Sequence, residues 1–340
     1  MTMLTEQSPA PEPPSPRRRP LDALRSRITG QEFVLFGVIA LLWTTLGLAT
    51  DTFIDTGTLS NLAYVVAPIA LIGIGMTVVI VGGGIDVSVG SAVTVVTVIL
   101  AKLVRDQGVS FPVAILVAVG VGGLLGLMNG LLISFGRVHA IIITFGTLNV
   151  FRFIALRIFD SEQVAGVPDT LGFLGGGQAG ETWHIPHAFL LMLVLAAATW
   201  WYMRNTAGGR HFYAMGGDRT AARLAGVKVR RREVLAYVLT GVLVGLAAAV
   251  IIGSGGLIGQ NVGVGLELQV IAAVVIGGTS IMGGRGTVLG TVLGALLVGT
   301  VASGVTILHW PSQLTSLFVG VFILIAVGTD VLRERSRRRA

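Results

Sequence analysis

Side chains that could do chemistry are scarce in this 340-residue chain, and their spacing fits no catalytic pattern. The only lysines, Lys102 and Lys228, do not follow glycine, so no G-x-x-x-x-G-K-[ST] phosphate loop exists. G-V-G-G-L-L-G (120–126) has the glycines of a dinucleotide-binding turn but lies inside an apolar run, where close helix packing is their role. Ser254, in I-G-S-G-G, would need a histidine base at matching depth to act as a nucleophile. The one candidate on a nearby segment, His309, falls in a loop beside Trp310 and Pro311. His184 and His187 form H-x-x-H without a third ligand and read as surface histidines. The chain has no cysteine, which excludes disulfides and thiolate metal sites, and no cofactor is expected.

Charge inside the apolar runs is the usual guide to a proton- or ion-coupled carrier. Here Asp86 follows three glycines at an expected inner boundary, Arg152 and Arg157 lie in the outward half of a span, and Glu267 opens a span near the outer face. They do not line up as a relay across the midplane. Energy for uphill transport would then enter through a separate subunit. The alternative is an ATP-independent secondary carrier; a channel or structural membrane protein is a third reading.

The basic segment 204–232 is where a partner could dock. Within it, Y-A-M-G-G-D-R-T-A-A-R-L-A-G-V (213–227) offers Asp218 as an N-cap, favours a short helix over 220–225, and places Gly226 to end it. Ala221, Ala222 and Ala225 give that helix a small-residue face, with Arg219 and Arg223 one turn apart on another. Such a face can seat in a groove on a partner and receive its motion. The competing role is an interfacial helix lying on anionic lipid.

The elements that carry these residues are membrane spans. Hydrophobic residues make up 53% of the chain and charged ones 12%, with a mean hydropathy of +0.83, too little charge for a water-exposed surface. Apolar runs near the ~20 residues needed to cross a bilayer recur throughout. They predict an all-α membrane protein with about ten transmembrane helices: 33–50, 59–81, 87–104, 113–135, 138–159, 188–203, 233–253, 267–282, 287–308 and 314–331. Residues 1–32 form a Pro-rich, basic, disordered tail followed by an uncleaved first span. The net charge of +7 comes from clusters beside apolar runs, which are topology signals and lipid-headgroup contacts; no nucleic-acid partner is expected.

The basic clusters at 204–232, in the N-terminal tail and in the tail 332–340 place all three in the cytoplasm, so both termini are inside. Segment 160–187, with four acidic residues and no Lys or Arg, belongs outside. Lys102 and Arg105, near the outer face, are the exception. V-I-V-G-G-G-I-D (79–86) and V-V-I-G-G-T-S-I (274–281) share an apolar run ending in a glycine pair, a hint of duplicated halves.

Over roughly residues 33–331 the chain resembles the permease subunits of ribose-type ABC importers, a group covering arabinose, xylose, galactose, rhamnose and autoinducer-2 systems. The resemblance rests on Tyr213–Val227, G-G-G-I-D-V-S-V-G-S (82–91), T-F-G-T-L-N-V-F-R (144–152) and E-L-Q-V-I-A-A-V-V-I-G-G-T-S-I-M-G-G-R-G-T-V-L-G (267–290). His139 stands where that family usually has proline, and H-W-P-S-Q-L-T-S-L-F-V-G (309–320) is closer to the rhamnose and autoinducer-2 branch. The resemblance implies a second permease, an ATPase subunit and a periplasmic sugar-binding protein as partners, and no catalytic residue on this chain. The expected path or gate residues are Asp86, Ser88, Asn129, Thr144, Thr147, Arg152 and Glu267. Those expected to couple to the ATPase are Tyr213, Gly216, Gly217, Asp218, Ala221, Ala222, Leu224 and Gly226. Gly82–Gly84 and Gly283, Gly284 and Gly286 would form two tight inner turns, whose role is either a gate or hinge or simply close packing at a turn.

Overall fold

The computed structural model describes residues 30–160, 162–175, 180–253, 255 and 257–339, with side chains described as far as residue 328. The helices are α1 (Gly30–Ala49), α2 (Thr56–Val81), α3 (Val89–Gln107), α4 (Phe111–Gly136), α5 (Ala140–Phe159) and α6 (His187–Asn205). They continue as α7 (Ala207–Gly217), α8 (Arg219–Leu224), α9 (Val229–Gly253), α10 (Leu266–Ile276), α11 (Val288–Ile307) and α12 (Gln313–Arg339). The segment before α6 holds a 3₁₀ turn, Asp169–Leu174, and a small antiparallel hairpin of Glu181–Thr182 with Ile185–Pro186. Seven helices (α1, α2, α4, α5, α6, α9 and α11) are long and apolar enough to cross a membrane. The chain is an all-α membrane protein.

Polar residues at the helix ends set where the runs stop. Asp55 accepts from the Gly57 amide at 3.3 Å at the start of α2, and Thr287 accepts from the Gly290 amide at 3.0 Å at the start of α11. Gly108 ends α3 in the left-handed conformation, its amide bonded to the Val104 carbonyl.

α2 is the central element, with 89% of its apolar window buried among α6, α9, α10 and α11. Small residues permit that density. Gly122, Gly126 and Gly130 of α4, four residues apart, lie against the backbone of Val234, Tyr237, Gly241 and Gly245 in α9; a Cβ at Gly126 would overlap the Tyr237 carbonyl. This is small-residue packing of the kind that brings membrane helices into backbone contact. It gives part of the G-V-G-G-L-L-G stretch its expected role. Across the α2–α11 interface, Gly73 admits the Thr291 side chain, whose hydroxyl meets that of Thr77 at 2.5 Å.

Several boundaries differ from expectation. α1 starts at Gly30, inside the expected tail: Gln31 donates to the Ile276 carbonyl at 3.3 Å, and the Thr287 hydroxyl donates to Glu32 at 2.5 Å. Glu32 is thereby buried as part of the bundle. The rest of that tail, 1–29, and Ser254 lie outside the described residues. At the other end, α12 continues through the basic stretch to Arg339, so 332–339 extends a helix. The expected span 267–282 is only 11 residues of helix, about 16 Å, or half the ~30 Å depth of a hydrocarbon core. Its last turn lies beside the first turns of α1 and α11, and Glu267 in its first turn packs against Gly90 within the bundle. α3 begins beside the start of α10, because Gly90 packs on Gly263 just before α10. Its 19 residues extend about 28 Å from that contact. Lys102 and Arg105 lie near its far end, where Arg105 pairs with Asp106 at 2.6 Å.

The glycine pairs suspected of marking a repeat adopt one backbone motif. The amides of Gly82, Gly83 and Gly84 bond to the carbonyls of Val78, Ile80 and Val79; those of Gly277, Gly278 and Thr279 bond to Ala273, Val275 and Val274. Gly83 and Gly278 have φ of 86° and 93°, where a side chain would be strained.

Candidate translocation gate and coupling site

Two stretches without helix enter the bundle: 82–88 after α2, and 257–265 before α10. Irregular backbone at membrane depth persists only where protein surrounds it or where it lines a cavity. The second stretch meets the first turn of α3, which follows directly on the first stretch, where Gly263 packs on the Gly90 backbone with no room for a Cβ on either residue.

The first stretch is held from three helices. Asp86, 3% exposed, accepts from the Ser88 amide at 3.0 Å and the Ser88 hydroxyl at 2.6 Å. The Asn129 side-chain amide, from α4, donates to Ser88 Oγ at 2.8 Å and lies 3.4 Å from Asp86 Oδ2. The Ile85 carbonyl accepts from Thr144 of α5 at 3.2 Å and from the Tyr237 hydroxyl of α9 at 3.3 Å. Thus Asp86, Ser88, Asn129 and Thr144, far apart in sequence, form one polar cluster. Thr147, one turn along α5, bonds to the Thr144 carbonyl at 3.3 Å instead.

The second stretch is held by Arg152 of α5, which donates to the Gln260 carbonyl at 3.3 Å, and by a backbone bridge between Val164 and Ile258. Glu267 lies against Gly90, where its Oε2 is buried. Among the described residues, Glu267 Oε2 and Asn129 Oδ1 are buried acceptors with no hydrogen-bond partner. Arg152 and Glu267 therefore belong to the second stretch and not to the Asp86 cluster; α5 touches both. Tyr237 was not anticipated. A single tyrosine within an apolar run was the available signal, since a buried phenol usually finds a partner.

At the end of the bundle that carries both glycine turns, α7 and α8 close over them. Tyr213 of α7 donates to the Gly286 carbonyl at 3.0 Å, and burial raises its phenol above the ordinary range, so it stays a donor. Gly216 packs on the backbone of Val81 and Gly284, where the Gly284 amide donates to the Val81 carbonyl at 2.8 Å. Gly217 lies beside Gly284 and is exposed. One short helix thus touches the ends of both turns.

Asp218 caps α8 by accepting from the amides of Thr220 and Ala221 at 2.8 and 2.9 Å, and Gly226, at φ 85°, follows its end. Ala222 is buried under α8, while Leu224 is 84% exposed and Ala221 and Ala225 face outward beside it. The outward face is therefore Ala221, Leu224 and Ala225, with Ala222 serving as the inner contact. Arg219 pairs with Glu233 at 2.5 Å, and Ser134 donates to the same carboxylate at 2.8 Å, tying α8 to α9 and α4. A cavity of about 530 Å³ beneath this junction is lined by Gly83, Ser134, Arg137, Arg219, Arg223 and Glu233.

The family described as "Branched-chain amino acid transport system / permease component" matches residues 58–327. The ribose import permease protein RbsC of Bacillus subtilis (strain 168) is 36% identical over 88% of this chain and 90% of its own length. The D-allose transport system permease protein AlsC of Escherichia coli (strain K12) is 32% identical over 89% of this chain and 91% of its own. The autoinducer 2 import system permease protein LsrC of Photorhabdus luminescens is 34% identical over 76% of each chain. No solved structure is significantly similar to the chain. With the match spanning both glycine turns, the polar cluster and α7–α8, the chain belongs to this permease family and is a multi-pass membrane transport protein, not an enzyme.

Proposed function

We propose that this chain is the membrane-spanning subunit of an ATP-binding-cassette importer that moves a monosaccharide or sugar-like solute across the bacterial inner membrane. The solute class is that of ribose, rhamnose and autoinducer-2; relatives named for import of ribose, allose and autoinducer 2 support it. The ATPase is a separate subunit, an external sugar-binding protein delivers the solute, and a second permease, identical or paralogous, completes the path. In this reading the chain crosses the membrane ten times, through α1 to α6, α9, α10 together with the irregular stretch 257–265 before it, α11 and α12. Both termini and α7–α8 are cytoplasmic, and 160–187 is external.

The observation that carries the proposal is the junction of Gly216 with Val81 and Gly284, beside the Tyr213–Gly286 bond. A push on the exposed face of α8 reaches α7, and through it both glycine turns at once. Those turns lead into 82–88 and out of α10, the elements that carry Asp86, Ser88 and Glu267. Asp86, Ser88, Asn129, Thr144 and Thr147 form the inner part of the gate; Arg152 and Glu267 form the outer part. The partnerless acceptors on Asn129 and Glu267 suit the donor-rich hydroxyls of a sugar. Discontinuous helices meeting near the midplane are where many transporters bind their solute.

The test is solute uptake into membrane vesicles containing the permease, its ATPase and its binding protein. Uptake should require ATP and all three components, and Leu224→Glu, which places a charge on the exposed face of α8, should cut it at least tenfold with normal permease levels. Full uptake by that variant, or uptake indifferent to ATP, would overturn the assignment.

A further inference from the structure

Between α6 and α11 lies an apolar groove of about 360 Å³, lined by Leu193, Ala196 and Trp200 on one side and Val288, Leu289 and Val292 on the other. It continues past Trp200, Val288 and Leu289 into a second cavity of about 420 Å³ with a polar mouth. Arg204 and Arg210 stand at that mouth, both exposed, together with Thr287 and Tyr213. The one carboxylate there, Glu32, is buried and accepts from the Thr287 hydroxyl. The two arginines thus leave the mouth cationic.

The sequence of α6 builds this shape. Leu193, Ala196, Trp200 and Arg204 recur at helical spacing on one stripe, apolar for two turns, then aromatic, then basic. Arg204 lies over the Trp200 ring, 5.5 Å from its centre. An indole at the boundary between a dry groove and a charged mouth is the arrangement found at membrane interfaces. Basic pockets between membrane helices take anionic headgroups.

We infer that this groove holds one anionic phospholipid, with an acyl chain between α6 and α11 and its phosphate at Arg204 and Arg210. A purely apolar occupant would leave the arginines unused, and a soluble phosphate would leave the groove unfilled. The headgroup lies beside Tyr213 and Gly286, so the lipid abuts the bond that ties α7 to the second glycine turn. The site requires only that the chain sit in a membrane, whichever way it faces.

The experiment uses the full chain in nanodiscs of mixed phosphatidylglycerol and phosphatidylcholine, followed by detergent extraction and native mass spectrometry of retained lipid. The wild-type chain should retain phosphatidylglycerol over phosphatidylcholine. The double variant Arg204→Gln/Arg210→Gln should lose roughly thirtyfold of that preference, at about fivefold per basic residue near an anionic surface. Ala196→Trp, which fills the groove and keeps both arginines, should also lose retention. Size-exclusion profiles and the Tyr213–Gly286 contact, followed by cross-linking, should match wild type in both variants. Equal retention by the double variant overturns the site. Competition by inorganic phosphate would overturn it in favour of a free-phosphate site. A disulfide between two copies carrying Ala197→Cys would overturn it in favour of a subunit interface.

Discussion

At the scale of single residues, the proposed gate depends on a few buried polar atoms that bond to one another. Asp86 is bonded by Ser88 and approached by Asn129, with the Asn129 amide also on Ser88. A bond to a charged group contributes about 1.5–3 kcal/mol, and leaving its partner buried and unmatched costs at least as much. Asn129→Leu should therefore lower the thermal unfolding midpoint of the purified protein and reduce uptake more than tenfold. Tyr237→Phe keeps the ring and loses only the bond to the Ile85 carbonyl, a neutral bond contributing about 1 kcal/mol. It should lower the midpoint by less and slow uptake only severalfold. A reversed order in thermal-shift and vesicle-uptake measurements would show that the cluster does not position 82–88. Of the expected gate residues, Asn129 and Thr144 were visible as polar residues in apolar runs, and the fold brings them to Ser88 and the Ile85 carbonyl. Tyr237 was passed over because one hydroxyl on a span conveys no partner until the fold brings Ile85 beneath it.

At the scale of elements, glycine spacing decides how closely helices approach. Gly126 faces the Tyr237 backbone of α9 with no space for a methyl group, whereas Gly120, on the same helix, has nothing near it. The two positions make a matched comparison. Gly126→Ala should force α4 and α9 apart, costing the ~1–3 kcal/mol typical of overpacking, and because Tyr237 and Asn129 lie on these two helices it should also disturb the gate. Gly120→Ala should be neutral or stabilising by up to ~1 kcal/mol, from reduced backbone freedom. Yields of monodisperse protein after detergent extraction, with unfolding midpoints, measure both. The sequence could not separate these glycines, because both lie in one G-V-G-G-L-L-G run and only the position of α9 distinguishes their environments.

At the scale of the whole molecule, the proposed function has one arrangement serve both docking and gating. α7 spans the two glycine turns, so a force at α8 reaches both non-helical segments without a long chain of intermediates. This requires α8 and the hairpin at 181–186 to lie on opposite sides of the membrane. The cysteine-free chain allows a direct check. Trp183→Cys, at a position 91% exposed, should react with a membrane-impermeant maleimide from outside intact cells. Leu224→Cys, at a position 84% exposed, should react only after the membrane is opened. Labelling of both from one side would invalidate the proposed orientation.

The sequence alone was sufficient for the membrane class, for helices along ten apolar runs, for the Asp218 cap and for the permease resemblance. Each of these is set by local composition, periodicity or linear spacing. It did not reveal that α10 is only 11 residues long, that α3 begins beside its start, or that Gly90 and Gly263 bring the start of α3 against the irregular segment before α10. Nor did it reveal that Ala222 faces inward, leaving Leu224 as the outward contact. Hydropathy counts apolar residues along the chain without regard to depth, so a half-length helix and a full crossing look alike. Which glycine meets a backbone, and which polar atom finds a partner, follows from contacts between elements far apart in sequence, and the tertiary structure decides those.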